Sequence, residues 1–224
     1  EQPAEADSAA RLPTRAPVYM VRYRHVHHAG PTGYDHLCDY VGETVRLGRA
    51  MHALGETVLR IPAKLVSWYG GSFEYSRHDF VMEAQVALHM RRHQRSIYHF
   101  IYGEKSFKLL ARSSNRNGHR FVATFHHPPE HFDWLFRSAN HLKALHHVVV
   151  LAHNQVEAVE RICGRDKVSF VPIGIDTDFF RPAPDRPTSS GKRCVFAGNH
   201  ERDFDRLPAV VSGAALLLQH NLHV

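Results

Sequence analysis

The sequence has little cysteine and no long apolar run. Its three cysteines, Cys38, Cys163 and Cys194, are far apart, and none forms a C-x-x-C pair. This spacing argues against a disulfide framework and favours reduced thiols in a cytoplasmic protein. The longest apolar candidate, 209–218, is shorter than the roughly eighteen residues that a membrane span needs, and Ser212 and Gly213 interrupt it. We therefore predict no membrane-spanning segment.

Motifs for metals and dinucleotides are also lacking. No H-E-x-x-H and no G-x-G-x-x-G occurs. His89 and His93 are four residues apart on a predicted helix, a spacing that can chelate a metal, but no Glu or Cys clusters around them. Adjacent histidines, such as His126 and His127, would point apart on a strand. We expect no metal site and no bound cofactor.

Basic residues and histidines are abundant. The net charge is +6 with twenty histidines, and the pI is about 9.4. This charge favours an anionic partner, such as a nucleotide diphosphate, an anionic lipid or a nucleic acid, without choosing among them. The hydrophobic content of 43% and the charged content of 22% are ordinary for a globular domain.

Short apolar segments alternate with helical patterns along most of the chain. We predict strands at 17–23, 97–102, 121–125, 148–151 and 168–171, and helices beginning at Tyr34 and at 80–95, 103–112, 132–145 and 154–163. The region 45–80 is less regular, with a helical piece near 47–54 and a possible strand at 57–61. This alternation predicts an α/β fold, a Rossmann-like parallel sheet with helices on both faces, and it places the loops that follow the strands at one edge.

Composition also suggests domain boundaries. The acidic, Ala- and Pro-rich residues 1–16 read as a disordered arm, and 17–182 as the Rossmann-like domain. Residues 183–192 are rich in Pro and Ser, as linkers are. Residues 193–224 are predicted to form the first βα unit of a second, incomplete domain, with a strand at 193–197 and a helix at 207–218.

The segment 171–182 reads VPIGIDTDFFRP, with a turn predicted at Gly174, an acid at Asp176 and an aromatic ring at Phe180. It resembles the segment that closes the N-terminal domain of GT-B glycosyltransferases, and more narrowly that of the retaining family four. The resemblance spans 18–204. It implies the N-terminal, acceptor-side half of a GT-B fold with a truncated C-terminal domain.

The same resemblance implies an activity. The intact protein would be a hexosyltransferase of carbohydrate biosynthesis that moves a sugar from a nucleotide-diphosphate donor to a hydroxyl acceptor with retention and without a metal. The acceptor would be a sugar or a lipid-linked molecule, and the transition state would resemble an oxocarbenium ion. The 224-residue chain alone is expected to be inactive, because the cleft needs both domains.

The loop 25–33 precedes a predicted helix, whose N-terminus could bind phosphate. Gly30 and Gly33 would let its backbone approach a ligand closely. The stretch HHAGPTGYDHL resembles a branch of the family, which implies acceptor contacts from Tyr34 and Asp35. A plain βα turn is the alternative.

His126 directly follows a predicted strand in FHHPPE, and the resemblance implies that it is the catalytic residue. A neutral imidazole there could donate a hydrogen bond to a sugar hydroxyl or to charge on the leaving phosphate. His127 is assigned to the acceptor side, although its side chain should point elsewhere than that of His126. A structural loop histidine is the alternative interpretation of His126.

Three further residues complete the expected site. Glu104 could bind acceptor hydroxyls or could cap a helix that begins at Gly103. The resemblance assigns donor diphosphate binding to Gly198 and Arg202, because a guanidinium suits phosphate.

The basic residues between Arg91 and Arg120 leave two interpretations open: a peripheral contact with an anionic membrane at its inner face, or an ordinary solvated surface. No nucleic-acid partner is expected. Two functions remain as alternatives to the transferase. One is a non-catalytic module that binds a sugar or a partner, and the other is a sugar-nucleotide epimerase of the GT-B fold.

Overall fold

The strands form one parallel sheet. The structure is a computed structural model, and it describes residues 16–22, 34–41, 43–46, 53, 58–69, 75–105, 107–113, 116–136, 138–181, 204–206, 208–209 and 212. The strands are β1 (Val18–Arg22), β2 (Glu43–Arg46), β3 (Ile97–Phe100), β4 (Arg120–Phe125), β5 (His147–Val150) and β6 (Val168–Phe170), in the order β2-β1-β3-β4-β5-β6. This confirms the predicted α/β class and its parallel sheet.

Alternating side chains of the central strands build the main core on one face of the sheet. The register pairs Tyr19 with Tyr98 and Val21 with Phe100. The next strands continue this row with Phe121, Ala123, Phe125, Val148 and Val150, all buried. Parallel strands are normally covered by helices, and their buried rows are correspondingly apolar.

Four α-helices lie in the described part of the chain: α1 (Arg60–Tyr69), α2 (Arg77–Met90), α3 (Phe132–Leu135) and α4 (His153–Cys163). The α2 residues Met82 and Val86 and the α4 residue Val159 join the main core, so both helices cover the same face. A capping box begins α2, since Ser76 and Asp79 exchange side-chain and backbone hydrogen bonds. This cap fixes where the helix starts.

The opposite face of the sheet carries a smaller cluster. Met20 of β1 packs there with Cys38, Ile101 and Tyr102. Cys38 belongs to the 3₁₀ helix Tyr34–Asp39, which follows the loop after β1. The described residues thus place helical segments on both faces, as predicted.

Several predicted helices differ from those observed. Residues 101–105 form turns and only Leu110–Ser113 is helical, as a 3₁₀ segment, so the helix predicted from Gly103 is wrong. The helix predicted at 132–145 is divided into α3 and the 3₁₀ segment Asn140–Ala144, because Phe136 takes an extended conformation. The segment from Tyr34 is a 3₁₀ helix of six residues.

The region 43–69 also differs from the prediction. β2 pairs with β1 at 43–46, where no strand was predicted. Residues 58–59 form a turn and 60–61 begin α1, so the described part of the strand predicted at 57–61 is wrong. The predicted helical piece at 47–54 falls outside the described residues, apart from Ala53.

The chain divides into two compact units, Glu1–Arg181 and Pro182–Val224. In the second unit the structure describes the 3₁₀ segment Phe204–Arg206 and helical residues at 208–209 and 212. The predicted arm 1–16 (except its last residue), the linker 183–192 and the strand 193–197 lie outside the described residues. In the part that is described, no helix combines the length and apolarity required to cross a bilayer.

Candidate functional site

A cleft of about 610 Å³ opens at the carboxyl ends of β3 to β6. Parallel α/β sheets bind ligands at this edge, because the loops that follow the strands gather there. The cleft is lined by residues of five segments: His36 and Tyr40; His99 and Ile101; Thr124 and His126; Val149 and Leu151; and 171–178 with Phe180. The two motifs that the sequence singled out, FHH and VPIGIDTDFF, therefore meet at one cleft.

The ring of His126 is fixed by the loop after β3. Its Nε2 lies 2.7 Å from the carbonyl oxygen of Ile101, so Nε2 carries the proton and donates. The Tyr102 ring packs against the imidazole, with centroids 5.3 Å apart. A neutral imidazole has one N–H, and Ile101 accepts it. In this geometry Ile101 takes the one N–H of a neutral ring, and donation from His126 to a sugar or phosphate stays a prediction.

Glu104 holds the backbone of the loop after β4, which contains His126 and His127. Its carboxylate accepts hydrogen bonds from the backbone N–H groups of His126 and His127, the latter at 2.8 Å. Only 1% of Glu104 is exposed. This geometry brings Glu104 and His126 together, as the sequence indicated, and it gives Glu104 a positioning role in place of a helix cap. The prediction that Glu104 binds acceptor hydroxyls stays untested.

Gln155 of α4 also holds the loop after β4, and the sequence analysis did not predict this role. Its Nε2 donates to the carbonyl oxygen of His127 at 2.8 Å. Its Oε1 accepts from the backbone N–H groups of Leu151 and Ala152, both at 2.8 Å. One buried amide thus joins the loops after β4 and β5. A glutamine at the third position of a helix that follows a strand directly was the available signal.

Gly103 lets the loop after β3 lie against β4. Its N–H donates to the carbonyl oxygen of Thr124 at 2.9 Å. A Cβ at this position would lie 2.6 Å from the Cβ of Ala123 and 2.7 Å from the Phe125 ring. Only glycine fits here without displacing the core, so this residue sets the position of Glu104.

The floor of the cleft is polar. His99 Nε2 lies 2.8 Å from the hydroxyl of Thr124 on the neighbouring strand. Burial lowers the pKa of His99 to about 4, and the nearby His147 adds to this shift. The ring is therefore neutral at physiological pH and presents a hydrogen-bonding group without charge.

The segment after β6 is organised by Asp176. Its Oδ1 accepts from the backbone N–H groups of Asp178 and Phe179, both at 3.0 Å, which closes a turn. The hydrogen bond from Phe179 is the largest cause of a lowered pKa for this carboxylate. Gly174, where the sequence predicted the turn, would meet open space with a Cβ. The acid therefore makes this turn, and the glycine is not needed for it.

His36 links this turn to the start of the sheet. Its Nε2 lies 3.3 Å from Asp176, and its Nδ1 lies 3.4 Å from Asp39. Asp39 in turn pairs with Arg22 at the end of β1, at 2.7 Å. The hydroxyl of Tyr40 lies 3.2 Å from His36. Polar side chains in contact with one another thus run from β1 to the segment after β6 along one wall.

His127 turns toward a different set of rings, as its position next to His126 suggested. Its Nδ1 lies 3.4 Å from that of His131, and its ring packs near Trp134. It does not line the cleft. Its assignment to acceptor binding receives no support from this geometry.

The remaining predicted residues are described in part or not at all. Tyr34 and Asp35 are described by their backbone, which opens the 3₁₀ helix Tyr34–Asp39. Gly30, Gly33, Gly198 and Arg202 lie outside the described residues. Within the described ranges, no three His, Cys, Asp or Glu side chains are grouped as a metal ion requires.

The basic run does not form one solvated face. Lys108 is 7% exposed and lies over the Tyr75 ring at 5.2 Å. Its burial lowers its pKa to about 8. In contrast, Arg91, Arg92 and Arg95 are exposed after the end of α2.

Comparison with known proteins gives no relative. No protein-family model, curated protein or solved structure matches this chain. The resemblance to GT-B glycosyltransferases thus depends on the sequence motifs alone.

Proposed function

We propose that the first unit is the acceptor-side domain of a glycosyltransferase that uses a nucleotide-sugar donor. The observation that carries this proposal is the meeting of His126 and Asp176 at one cleft. These residues belong to two motifs of the resemblance, FHHPPE and VPIGIDTDFFRP. Fifty residues separate them in the chain, so the sheet and not the local sequence brings them together.

The lining of the cleft suits a carbohydrate. Ile101, Val149, Leu151 and Pro172 offer apolar surface, while Thr124 adds a hydroxyl. Binding sites for small molecules combine a mostly apolar wall with a few placed polar groups. Sugar rings present both C–H faces and hydroxyls, which match these two kinds of surface.

His126 acts in this proposal as a positioning residue. Its Nε2–H is bonded to Ile101, and its backbone N–H is bonded to Glu104. The groups that recognise sugar hydroxyls are then the carboxylate of Asp176 and the side chains of His36 and Tyr40. A carboxylate accepts strong hydrogen bonds from hydroxyls.

A cleft-blocking variant tests this proposal. Gly174 is exposed, lines the cleft and has open space around its Cβ position, so Gly174→Phe should obstruct the cleft without disturbing the core. Gln94→Phe, which adds the same ring at an exposed position outside the cleft, is the matched control. We would titrate both variants and the unmodified chain with free sugars, nucleotides and nucleotide sugars by calorimetry.

We expect a sugar or a nucleotide sugar to bind the unmodified chain and Gln94→Phe equally, and Gly174→Phe at least tenfold more weakly. Equal binding to all three proteins, or no binding of any sugar, would overturn the proposal.

A non-catalytic sugar-binding module is the second candidate. One observation favours it: every residue that lines the cleft belongs to the unit Glu1–Arg181. Such a cleft can hold a ligand without a second domain. Sugar binding by the chain, with no transfer or hydrolysis of any nucleotide sugar by the intact protein, would decide for the module.

A further inference from the structure

Basic residues lie where three neighbouring strands begin. Arg120 is the first residue of β4, His146 directly precedes β5, and Lys167 directly precedes β6. These strands are adjacent and parallel, so their amino ends share one edge of the sheet. Because neighbouring strands lie about 4.8 Å apart, the three positions form a short row along that edge. We call these three residues the basic rim.

The ring of His146 is held in one orientation at this edge. Its backbone N–H donates to the carbonyl oxygen of Phe121 at 2.8 Å, and its Nδ1 accepts from the backbone N–H of Phe121 at 3.1 Å. A backbone amide can only donate through its N–H, so Nδ1 carries no proton. The proton of the neutral imidazole is therefore on Nε2, which gives the rim one N–H donor of fixed position.

The ammonium group of Lys167 is anchored beside this ring. Its Nζ donates to the carbonyl oxygens of Lys143 and Leu145, at 2.9 and 3.0 Å. Leu145 directly precedes His146 in the chain, so the positive charge is fixed next to the imidazole. An ammonium group has three N–H donors, and these two hydrogen bonds leave the third for a ligand.

Arg120 brings a second positive charge to His146 from the neighbouring strand. It is exposed and directly precedes Phe121, the residue whose backbone holds the imidazole. Burial lowers the pKa of His146, and the charges of Arg120 and Lys167 lower it further. Both cations therefore act on the same ring. The rim combines a guanidinium, an imidazole N–H and an ammonium, and hydrogen bonds to the backbone hold the last two in place.

We propose that the basic rim is a second ligand site, which binds the phosphate group of a small phosphorylated molecule. A guanidinium makes paired hydrogen bonds to phosphate oxygens, and an ammonium and an imidazole N–H supply further donors. β4 is six residues long, so the rim lies roughly 17 Å from the cleft at the other end of the strands. This inference does not depend on the function of the cleft.

Inorganic pyrophosphate is the probe, titrated by calorimetry into the chain at neutral pH and low salt. We expect one molecule to bind per chain, and Arg120→Glu to weaken this binding at least tenfold. Arg91→Glu makes the same change of charge at an exposed residue after the end of α2. It is the matched control and should bind within about twofold of the parent, because screening limits the reach of a distant charge.

Two further variants define the site. Arg120→Lys keeps the charge but loses the paired hydrogen bonds, so its affinity should lie between those of the parent and Arg120→Glu. The cleft-blocking Gly174→Phe should bind pyrophosphate as the parent does, because Gly174 lies at the opposite edge of the sheet. Circular dichroism checks that each variant is folded.

Three outcomes would overturn the proposal. One is that about 1 mM pyrophosphate does not bind. Another is equal weakening by Arg91→Glu and Arg120→Glu, which would indicate a general attraction to the net charge of +6. The third is loss of binding in Gly174→Phe, which would assign the pyrophosphate to the cleft. Failure of sugar binding in the cleft would leave these readouts unchanged, so the two proposals fail separately.

Discussion

The imidazole Nε2 of His36 lies 3.3 Å from the carboxylate of Asp176, although 140 residues separate them in the chain. This contact joins the helical segment after β1 to the turn after β6. It also explains why a motif at the end of the domain and a histidine near its start line the same cleft.

Loss of the Asp176 carboxylate should loosen the turn that follows β6. Asp176→Ala removes the oxygen that accepts from the backbone N–H groups of Asp178 and Phe179. We expect these two amides to exchange with deuterium roughly tenfold faster, as the loss of a hydrogen bond implies. Asp178→Ala is the control, and Phe179 should keep its exchange rate there. Unchanged exchange in Asp176→Ala would show that another group holds the turn.

The same turn has a predictable pH dependence. The pKa of Asp176 is lowered, first by the hydrogen bond from Phe179. Its stabilising contribution is therefore present above the ordinary carboxyl pKa and is lost as the pH falls through the lowered value. Amide exchange at Phe179, corrected for intrinsic rates, should rise only at strongly acidic pH, and this rise should be absent in Asp176→Ala.

Removal of the Glu104 carboxylate should destabilise the loop after β4. Glu104→Ala leaves the backbone N–H groups of His126 and His127 without their acceptor. We expect the free energy of unfolding to fall by about 2 kcal/mol, the cost of buried donors that lose their partners. Urea denaturation measures this change. Glu130→Ala, at an exposed carboxylate of the same loop, should cost less than about 0.5 kcal/mol. Equal costs at both positions would contradict the support role of Glu104.

The same substitution should destabilise the fold at Gly103 and have little effect at Gly174. Gly103→Ala places a Cβ 2.6 Å from that of Ala123, and overpacking of this kind costs about 1–3 kcal/mol. Gly174→Ala meets open space and should change stability by less than about 0.5 kcal/mol. Thermal unfolding of the two variants side by side measures the difference. A large loss of thermal stability in Gly174→Ala would show that the turn requires this glycine, as the sequence predicted.

Glu83 should make the fold less stable as the pH rises toward neutrality. This buried residue of α2 accepts from the backbone N–H groups of Lys108 and Leu110, at 2.9 and 2.7 Å. Burial raises its pKa to about 7. The folded state therefore binds the Glu83 proton more tightly than the unfolded state does. The stability that this proton adds is complete below the unfolded pKa of 4.5 and is lost as the pH rises to about 7.

The Glu83→Gln variant isolates this effect. Glutamine keeps an acceptor oxygen but does not ionise, so the stability of the variant relative to the parent should rise by about 3 kcal/mol between pH 4.5 and 7.5. Guanidinium denaturation across this range measures the difference, in which the titration of other groups cancels. A difference that stays constant with pH would mean that Glu83 is ionised throughout.

The sequence predicted the central strands and α4 well, because their apolar residues are dense and the turns around them are clear. It did not predict β2, since ETVR has one apolar residue and lies at the edge of the sheet. It overextended the helix at 132–145. Phe132, Leu135, Leu142 and Leu145 are buried at helical spacing, yet the extended Phe136 divides them.

The candidate site was predicted in its location but not in its detail. His126 and Glu104 could be placed together from the ends of two parallel strands. The acceptor for the imidazole N–H is a backbone carbonyl at Ile101, and no side-chain pattern reveals such a partner. Gln155 is buried in the structure, while glutamine on a helix usually indicates a solvated face.

The edge position of β6 has a consequence for biosynthesis. Residues 171–180 form the far wall of the cleft and are the last of the first unit to leave the ribosome. The earlier strands can pair while this stretch is still in the exit tunnel, because β1, β3, β4 and β5 are neighbours without it. A nascent chain can therefore pair these strands first, and it completes the binding cleft only when Asp176 has left the tunnel.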